Sequence, residues 1–542
     1  MFSDPVTGDK FFGRSETLEL LTKRANGLKD GYRQNIAILG PQLMGKSSLI
    51  LQFLSRLSHP ALIPIYIEVR KNSFSNFVYK FLGAVLYHYL KAKNLPVHED
   101  LELLKKEAEK NLPKTVEFIR GIEQQYKSGN LERAFEEVIG LTAVFKQESN
   151  ISCMLILDGF HFLDTFRIKN TYSKLAREIM TQKDTMYIFI SSQLSYAKRI
   201  LANELSLLFG NFEVINLEPF DYSTCCKFLE QRFETIFLPA AYRDFLITFS
   251  KGHPFYLDIM SAKLKEKAKE LNYSEVNYRL ISQAMHEVIY DSKGILNQYF
   301  TTMLTHNLNG ADYANYLPIL LSASEKGCRP QEIARLTLRQ PKVIAKQMNS
   351  LVEKDLLNKI GVFYRIQDKI FRFWLKSVYQ RKRLSLTADP QTESDDFCIE
   401  IEQEILAFSE HAHMQLVQRI ENLFKSFKNE IVTLQNKRFK FWHFEEVRTW
   451  DILRFTHCLI ARYKDGYWVA MVKQGDISEA DIQEFHRAIR VSTYPIRKTI
   501  IIACKKMELN VRLMALEKKF WIWDLADLNT ILDLYGKQQV MG

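Results

Sequence analysis

The chain has 542 residues, 46% apolar and 25% charged, with 74 Lys or Arg against 63 Asp or Glu and a net charge of +11. That composition is of a folded globular protein with room for about three or four domains, and it excludes wholesale disorder. No stretch approaches the roughly 18 uncharged apolar residues of a membrane-spanning helix, no apolar leader opens the chain, and seven scattered cysteines form no CxxC pair.

A cytoplasmic protein with no membrane partner, disulfide framework or zinc site is therefore expected. In chain order, residues 35–39 read as a short apolar strand, followed by a glycine-bounded loop and the helical pattern SSLILQFLSRL. A second strand is predicted at 63–69. A long helical region then runs to about residue 145, its charged middle (91–127) reading as surface helices. Buried strands return at 152–157, 186–191 and 212–217. Apolar strands alternating with helices predict an α/β domain, a parallel sheet with helices on both faces, over residues 1–219.

Residues 220–309 read as a small helical domain. Residues 310–383 give three helical patterns and then the alternating stretch LLNKIGVFYRI, with Gly361 at a hairpin turn. The polar stretch LSLTADPQTESDD (384–396) reads as a linker. A last domain is expected over 397–542, opening on a long amphipathic helix (about 397–430).

The strongest signal is Gly40-Pro-Gln-Leu-Met-Gly45-Lys46-Ser47, a full GxxxxGK[ST] match between a strand and a helix. Glycines let successive backbone N–H groups and the helix N-terminus cradle phosphate oxygens. Lys46 reaches the β- and γ-phosphates, and the Ser47 hydroxyl takes a place on Mg2+. Gly40, Gly45, Lys46, Ser47 and Ser48 are thus expected to bind ATP (or ADP). Asp158, closing the buried run CMLILD, is the expected second holder of Mg2+.

These motifs resemble those of the archaeal-type ATPases of the STAND/AAA+-related P-loop group, over roughly residues 10–380. The resemblance runs from Phe11-Phe12-Gly13-Arg14-Ser-Glu16 through the phosphate loop, IYIEVR, LILDGFHFLD, YIFISS and LLFGNFEVINLEPFDY to Gly252-His253-Pro254-Phe255. It implies a P-loop sheet, a helical lid and a winged helix, with Gly13, Arg14, His253 and Pro254 added to the nucleotide contacts. It also implies homo-oligomers or protein partners.

The resemblance also exposes departures. Gly159 stands where a glutamate normally follows the strand-end Asp to polarise the attacking water, and Asn211 stands where an arginine finger is usual. A positioned base is worth about 10²–10⁴ in rate, and an arginine finger about 10³–10⁵. Ser191 and Ser192 keep a polar group at the next strand end, so Lys46, Asp158 and Ser192 are the candidate catalytic residues. Glu68 and His161 are possible substitute bases. Tight nucleotide binding with slow or absent hydrolysis is expected, and a glutamate restored at 159 is expected to raise turnover.

Residues 326–383 hold fifteen Lys or Arg against four acids, an excess of eleven equal to the net charge of the chain. Arg329-Pro-Gln-Glu-Ile-Ala-Arg-Leu and Pro341-Lys-Val-Ile-Ala-Lys-Gln-Met-Asn-Ser-Leu read as a helix-turn-helix followed by a wing at 359–365. Lys342, Lys346, Gln347 and Asn349 on the second helix and Arg365 in the wing are the candidate contacts to double-stranded DNA.

Residues 437–530 resemble the PD-(D/E)xK restriction-endonuclease-like fold. That chemistry needs two acids for Mg2+ and a lysine. Asp451 and Lys473 are candidates, but Met471 occupies the middle acid position and cannot ligate Mg2+; Glu445 or Glu446 would have to take its place. The expected protein is a nucleotide-switched, DNA-associated assembly factor with an inactive nuclease-like domain. The alternatives are an active ATPase or nuclease in DNA processing or defence, and a protein scaffold that binds no DNA.

Overall fold

A computed structural model describes residues 4–57, 61–205, 212–308, 311–384, 390–434, 437–450, 457–464 and 466–540. The chain divides into two compact units, Met1–Phe220 and Asp221–Gly542.

The first unit is built on five parallel strands: β1 (Asn35–Leu39), β2 (Leu62–Glu68), β3 (Ser152–Asp158), β4 (Thr185–Ser191) and β5 (Phe212–Asn216). Their order is β2-β3-β4-β1-β5. The sequence pattern follows from that order. The three inner strands, NIAIL, SCMLILD and TMYIFIS, are buried along nearly their whole length because helices cover both faces. The edge strand β2 alternates between buried and partly exposed residues, and β5 between partly exposed and exposed ones. The α/β class with a parallel sheet is thus present, with strand ends within about a residue of those expected.

Helix α1 (Ser15–Lys29) precedes β1, and α2 (Lys46–Arg56) follows it. Between β2 and β3 come α3 (Phe74–Ala92), α4 (Leu101–Ala108), α5 (Pro113–Lys127) and α6 (Leu131–Ser149). They pack one core against the sheet, in which Phe74, Phe77, Phe135 and Phe166 stack within 6.4 Å. Emptying one such ring site costs about 3–5 kcal/mol. The charged stretch 91–127 forms the outer faces of α4 and α5, where Asp100 caps α4 by accepting from the N–H groups of Glu102 and Leu103.

The second unit begins with helices, among them Ala240–Ser250, Pro254–Glu270 and Ile295–Asn307. Helices Ala311–Glu325, Pro330–Thr337 and Pro341–Glu353 lead into the antiparallel hairpin β6 (Asn358–Ile360) and β7 (Phe363–Arg365). Gly361 makes its turn at φ +67°, and Cys328 exchanges backbone hydrogen bonds with Tyr364 as a third short strand.

Two expectations change here. Of the stretch read as a linker, residues 385–389 lie outside the described residues, and Pro390 begins a helix, Pro390–His413. Proline suits a first helical turn, where its missing N–H is not needed. The single helix expected over 397–430 is broken into Pro390–His413 and Leu416–Phe424. A hairpin, β8 (Glu430–Leu434) and β9 (Lys437–Phe441), follows.

The chain closes with a mixed sheet, β10 (Glu446–Thr449), β11 (His457–Tyr463), β12 (Gly466–Lys473), β13 (Ile496–Ala503) and β14 (Trp521–Trp523), paired in that order. Hairpin β6–β7 lies against this region. Phe363 belongs to the apolar core of the closing sheet, and a side-chain carbon at Gly361 would stand 2.4 Å from the Ile431 carbonyl. The expected wing is a docked surface.

Candidate functional site

In an open parallel sheet, ligands meet the crevice at the carboxyl ends of the strands, where strand order reverses. Here the ends of β1, β3 and β4 converge on that crevice. Gly40 leaves β1 with its N–H on the Ser191 carbonyl at 3.3 Å. A side chain there would place its first carbon 2.9 Å from the Leu217 carbonyl, so only glycine lets the loop start this close to the sheet. The loop then uses left-handed backbone at Leu43 (φ 57°) and Gly45 (φ 86°) before α2 begins at Lys46. N–H groups of that first turn have no partner within the helix and point outward, the arrangement that binds phosphate.

The side chains of the loop are tied to β3. The Ser47 hydroxyl donates to Asp158 Oδ2 at 2.8 Å, and the Tyr66 hydroxyl donates to the same oxygen at 2.9 Å. Burial first, and then the Asp158 charge, push the Tyr66 hydroxyl well above its ordinary range, so it stays a donor. Lys46 is buried, and its ammonium donates to the Gly40 and Pro41 carbonyls at 2.9 and 2.6 Å. Burial lowers it to about 8, against a raising effect of Asp158. A phosphate oxygen beside it would supply the counter-charge that these carbonyls lack. Ser47, Asp158 and Tyr66 present hard oxygens at one point, the donor set suited to Mg2+. The residues present therefore fit a magnesium nucleotide: Lys46 and the loop N–H groups for phosphates, Ser47 and Asp158 for the ion. Among the described residues no group of three or more His, Cys, Asp or Glu forms a separate metal cluster.

The hydrolytic side of the site differs. Gly159 sits at φ +86° with its N–H on the Ile190 carbonyl at 2.9 Å. A side-chain carbon there would stand 2.8 Å from the Val69 carbonyl and 3.3 Å from the Phe162 ring. Glycine at 159 is thus a backbone requirement, and the expectation that a glutamate there raises turnover is withdrawn. Glu68 pairs with Asp158 in register, but its carboxylate is held by Arg70 at 2.8 Å. Asn211 lies outside the described residues.

His161 is 2% exposed, and its Nδ1 shares a hydrogen bond with Ser191 Oγ at 2.9 Å. Its Nε2 is buried with no hydrogen-bond partner among the described residues. Burial, then the Lys46 charge, lower it to about 4. So weak a base withdraws a proton poorly at neutral pH. The polar residue that β4 carries into the site is Ser191, fully buried; Ser192 beside it is only half-buried.

The pH consequence has a definite sign. An unfolded histidine takes up a proton near 6.5 and this buried one near 4, so stability is complete above about 6.5 and is lost as the pH falls. Acidification from pH 7 to 5 should cost the first unit about 2 kcal/mol at this residue. His88, also lowered to about 4 by burial, adds in the same direction. His161→Asn, which keeps a partner for Ser191, should flatten the urea-midpoint profile between pH 7 and 5. An unchanged slope would show that His161 does not titrate in this way.

The remaining expected contacts are spread. Gly13 and Arg14 take consecutive left-handed conformations (φ 70° and 64°) before α1. Arg14 donates to the Glu218 carbonyl at 2.6 Å, and its guanidinium lies 4.9 Å over the Phe220 ring. The Ser48 hydroxyl accepts from the Val6 N–H at 3.0 Å and so holds the N-terminal segment on α2. His253 and Pro254 belong to the second unit, where Pro254 starts helix Pro254–Glu270 and the His253 ring stacks on Tyr256 at 4.1 Å.

On helix Pro341–Glu353, Lys342, Lys346 and Asn349 are exposed and Gln347 is half-buried. Asn349 also accepts from the Tyr364 hydroxyl at 2.7 Å. Arg365 is corrected. It is 3% exposed, paired with Asp533 at 3.0 Å, and lowered to about 10 by burial first and then by Arg372. It is interior and cannot meet a DNA phosphate. Arg372 and Lys251 reach the same carboxylate at 3.3 and 3.5 Å.

In the closing sheet, Met471 is fully buried in an apolar cluster, and Lys473 is bound by Asp481 at 2.7 Å. Asp451 lies outside the described residues. Sequence reasoning missed Tyr66, Asp533 and the Ser191–His161 pair. Alternation in β2 places Tyr66 on the same face as Glu68, but nothing in the sequence sets that face beside Asp158.

No family model matches the chain, and no curated protein matches it either. Among solved structures, it is similar to the Walker-type ATPase PABY2304 of Pyrococcus abyssi, at 15% identity and TM-score 0.46, covering 69% of this chain and 99% of that one. It is also similar to the ORC2 protein of Aeropyrum pernix in ADPNP–ADP complexes, at 13% identity and TM-score 0.43, covering 75% and 98%. The RuvB Holliday junction branch migration motor of Thermotoga maritima is matched at 11% identity and TM-score 0.35, covering 69% and 99%. Likeness at this level assigns no residue or substrate.

Proposed function

We propose that this chain is an ATP-binding protein of the STAND/AAA+ kind, slow in hydrolysis, that acts as a nucleotide-dependent switch or assembly factor and binds double-stranded DNA through a winged helix. The observation that carries the nucleotide reading is the junction of Lys46, Ser47 and Asp158 at the ends of β1 and β3, joined by a 2.8 Å hydrogen bond. Slow hydrolysis is supported by Gly159, whose backbone admits no side chain, and by the weak basicity of His161. Ser192 is retained in this reading as a candidate catalytic residue, and His253 and Pro254 as candidate nucleotide contacts. A switch requires nucleotide to bind two arrangements with different affinity. Homo-oligomers or protein partners would read that difference. Titration calorimetry with a magnesium ATP analogue tests the site: Lys46→Ala should weaken binding by about 10²-fold, the worth of charge-assisted hydrogen bonds to phosphate. Undiminished binding would refute it.

DNA binding rests on the exposed face of helix Pro341–Glu353, on Lys342, Lys346, Gln347 and Asn349, without Arg365. Each phosphate contact steepens the salt dependence by about 0.9 log unit per log salt. Lys342→Glu with Lys346→Glu should abolish duplex binding in fluorescence anisotropy and leave nucleotide affinity unchanged. Duplex binding that survives both changes would move the interface elsewhere.

A further inference from the structure

The second unit also carries a basic patch rich in aromatic rings, on residues other than those of helix Pro341–Glu353. Strand β9 exposes Lys437, Arg438 and Lys440; Lys464 follows β11, and Arg497 and Lys498 stand on β13. Among the described residues none of these six cations forms an ion pair, whereas their neighbours Arg448, Arg462 and Lys473 each do.

The rings are placed among them. Trp442 and Tyr463 stack with centroids 5.4 Å apart and planes 20° apart. The Lys440 and Lys464 ammonium groups lie 3.7 and 5.1 Å from the Trp442 centroid. Lys498 lies 3.6 Å over Trp521, which also receives the Phe439 ring at 4.7 Å. The buried Trp468 packs against both ring groups from the core side, 6.3 Å from Tyr463 and 5.3 Å from Trp521. Gly466, paired with Tyr463, makes room for Arg497 across the turn, because any side-chain carbon there would stand 2.4 Å from Arg497 Cγ.

We propose that this surface around Trp442 and Trp521 binds single-stranded nucleic acid. Unpaired cations fit a phosphate backbone, and ring faces fit bases only when those bases are free of a duplex. Trp442, Tyr463 and Trp521 are half-buried, and a base stacked on such a ring is held more tightly than a lysine resting on it, so the lysine heads move to phosphates and yield the ring faces.

The test uses the full chain carrying Lys342→Glu and Lys346→Glu, so that the winged-helix reading and this one fail separately. Anisotropy is measured with labelled oligothymidylate of about 20 nucleotides and with a duplex of equal length. The expected result is single-strand binding at least about tenfold tighter than duplex, with a salt slope of about −0.7 per phosphate contacted. Adding Lys440→Glu and Lys464→Glu should weaken it by about tenfold or more. Lys437→Glu with Arg438→Glu, on side chains that stand clear of the core, should also weaken it and guards against misfolding of the first pair. Tryptophan fluorescence should be quenched on binding, less so in Trp442→Leu. Absence of single-strand binding at low salt, preference for duplex, or affinity within about twofold in both charge-reversed variants would overturn the proposal.

Discussion

Replacing Asp533 with alanine should lower the stability of the second unit by about 3–5 kcal/mol, the cost of leaving buried charges without their partner. Asp533 lies on the last helix, Leu525–Leu534, and is the shared counter-charge of Arg365, Arg372 and Lys251. Burial alone would raise its carboxyl, but the charges of Lys251, Arg365 and Arg372 outweigh that and hold it below the ordinary range. Its stabilising contribution is therefore present above about pH 4 and is lost as the pH falls through the folded value. The three cations come from three segments: the turn before His253, the hairpin end, and helix Lys369–Trp374. The Tyr256 hydroxyl bonds the Asp368 carboxylate alongside them. One carboxylate thus fixes the turn before His253, the hairpin and the C-terminal helix together. Urea denaturation of the full chain, followed by tryptophan fluorescence, reads the loss. A change below about 1 kcal/mol would mean that water or neighbouring groups satisfy the cations without Asp533.

The second large effect is at Gly159. Glutamate there should cost about 2–4 kcal/mol, from left-handed backbone on a residue with a side chain and from the approach to the Val69 carbonyl and Phe162 ring. Gly159→Ala should cost nearly as much, because the conflict arises at the first side-chain carbon. Neither should raise turnover. Thermal unfolding and phosphate release measure both arms. A stable Gly159→Glu protein with turnover raised by tenfold or more would show that β3 can shift to seat a base.

Much of the first unit was legible because its inner strands are covered on both faces. Continuous runs such as CMLILD have few other readings, and the GxxxxGK[ST] spacing fixes a backbone loop as well as a lysine and a hydroxyl. The orienting groups were not legible. Tyr66 is an ordinary strand residue until β2 is paired beside β3, and the Ser191–His161 bond joins residues thirty apart across two strands. Position 159 was misjudged for a related reason: a glycine read as a missing side chain is held at φ +86° against a neighbouring strand. Charge misled most. The eleven excess cations between 326 and 383 suggested one continuous basic surface, yet Arg365 is interior, Arg329 is paired with Glu332, and Arg381 reaches Asp396 and Glu400. Composition counts charges but does not say which of them meet water.

The proposed site binds nucleotide well and hydrolyses it slowly. The most direct measurement is the nucleotide content of the purified chain together with its steady-state turnover under saturating magnesium ATP. Bound ATP or ADP is expected in the unaltered chain, none in Lys46→Ala, and turnover below about 1 s⁻¹. Turnover well above that rate, abolished by Lys46→Ala, would contradict it.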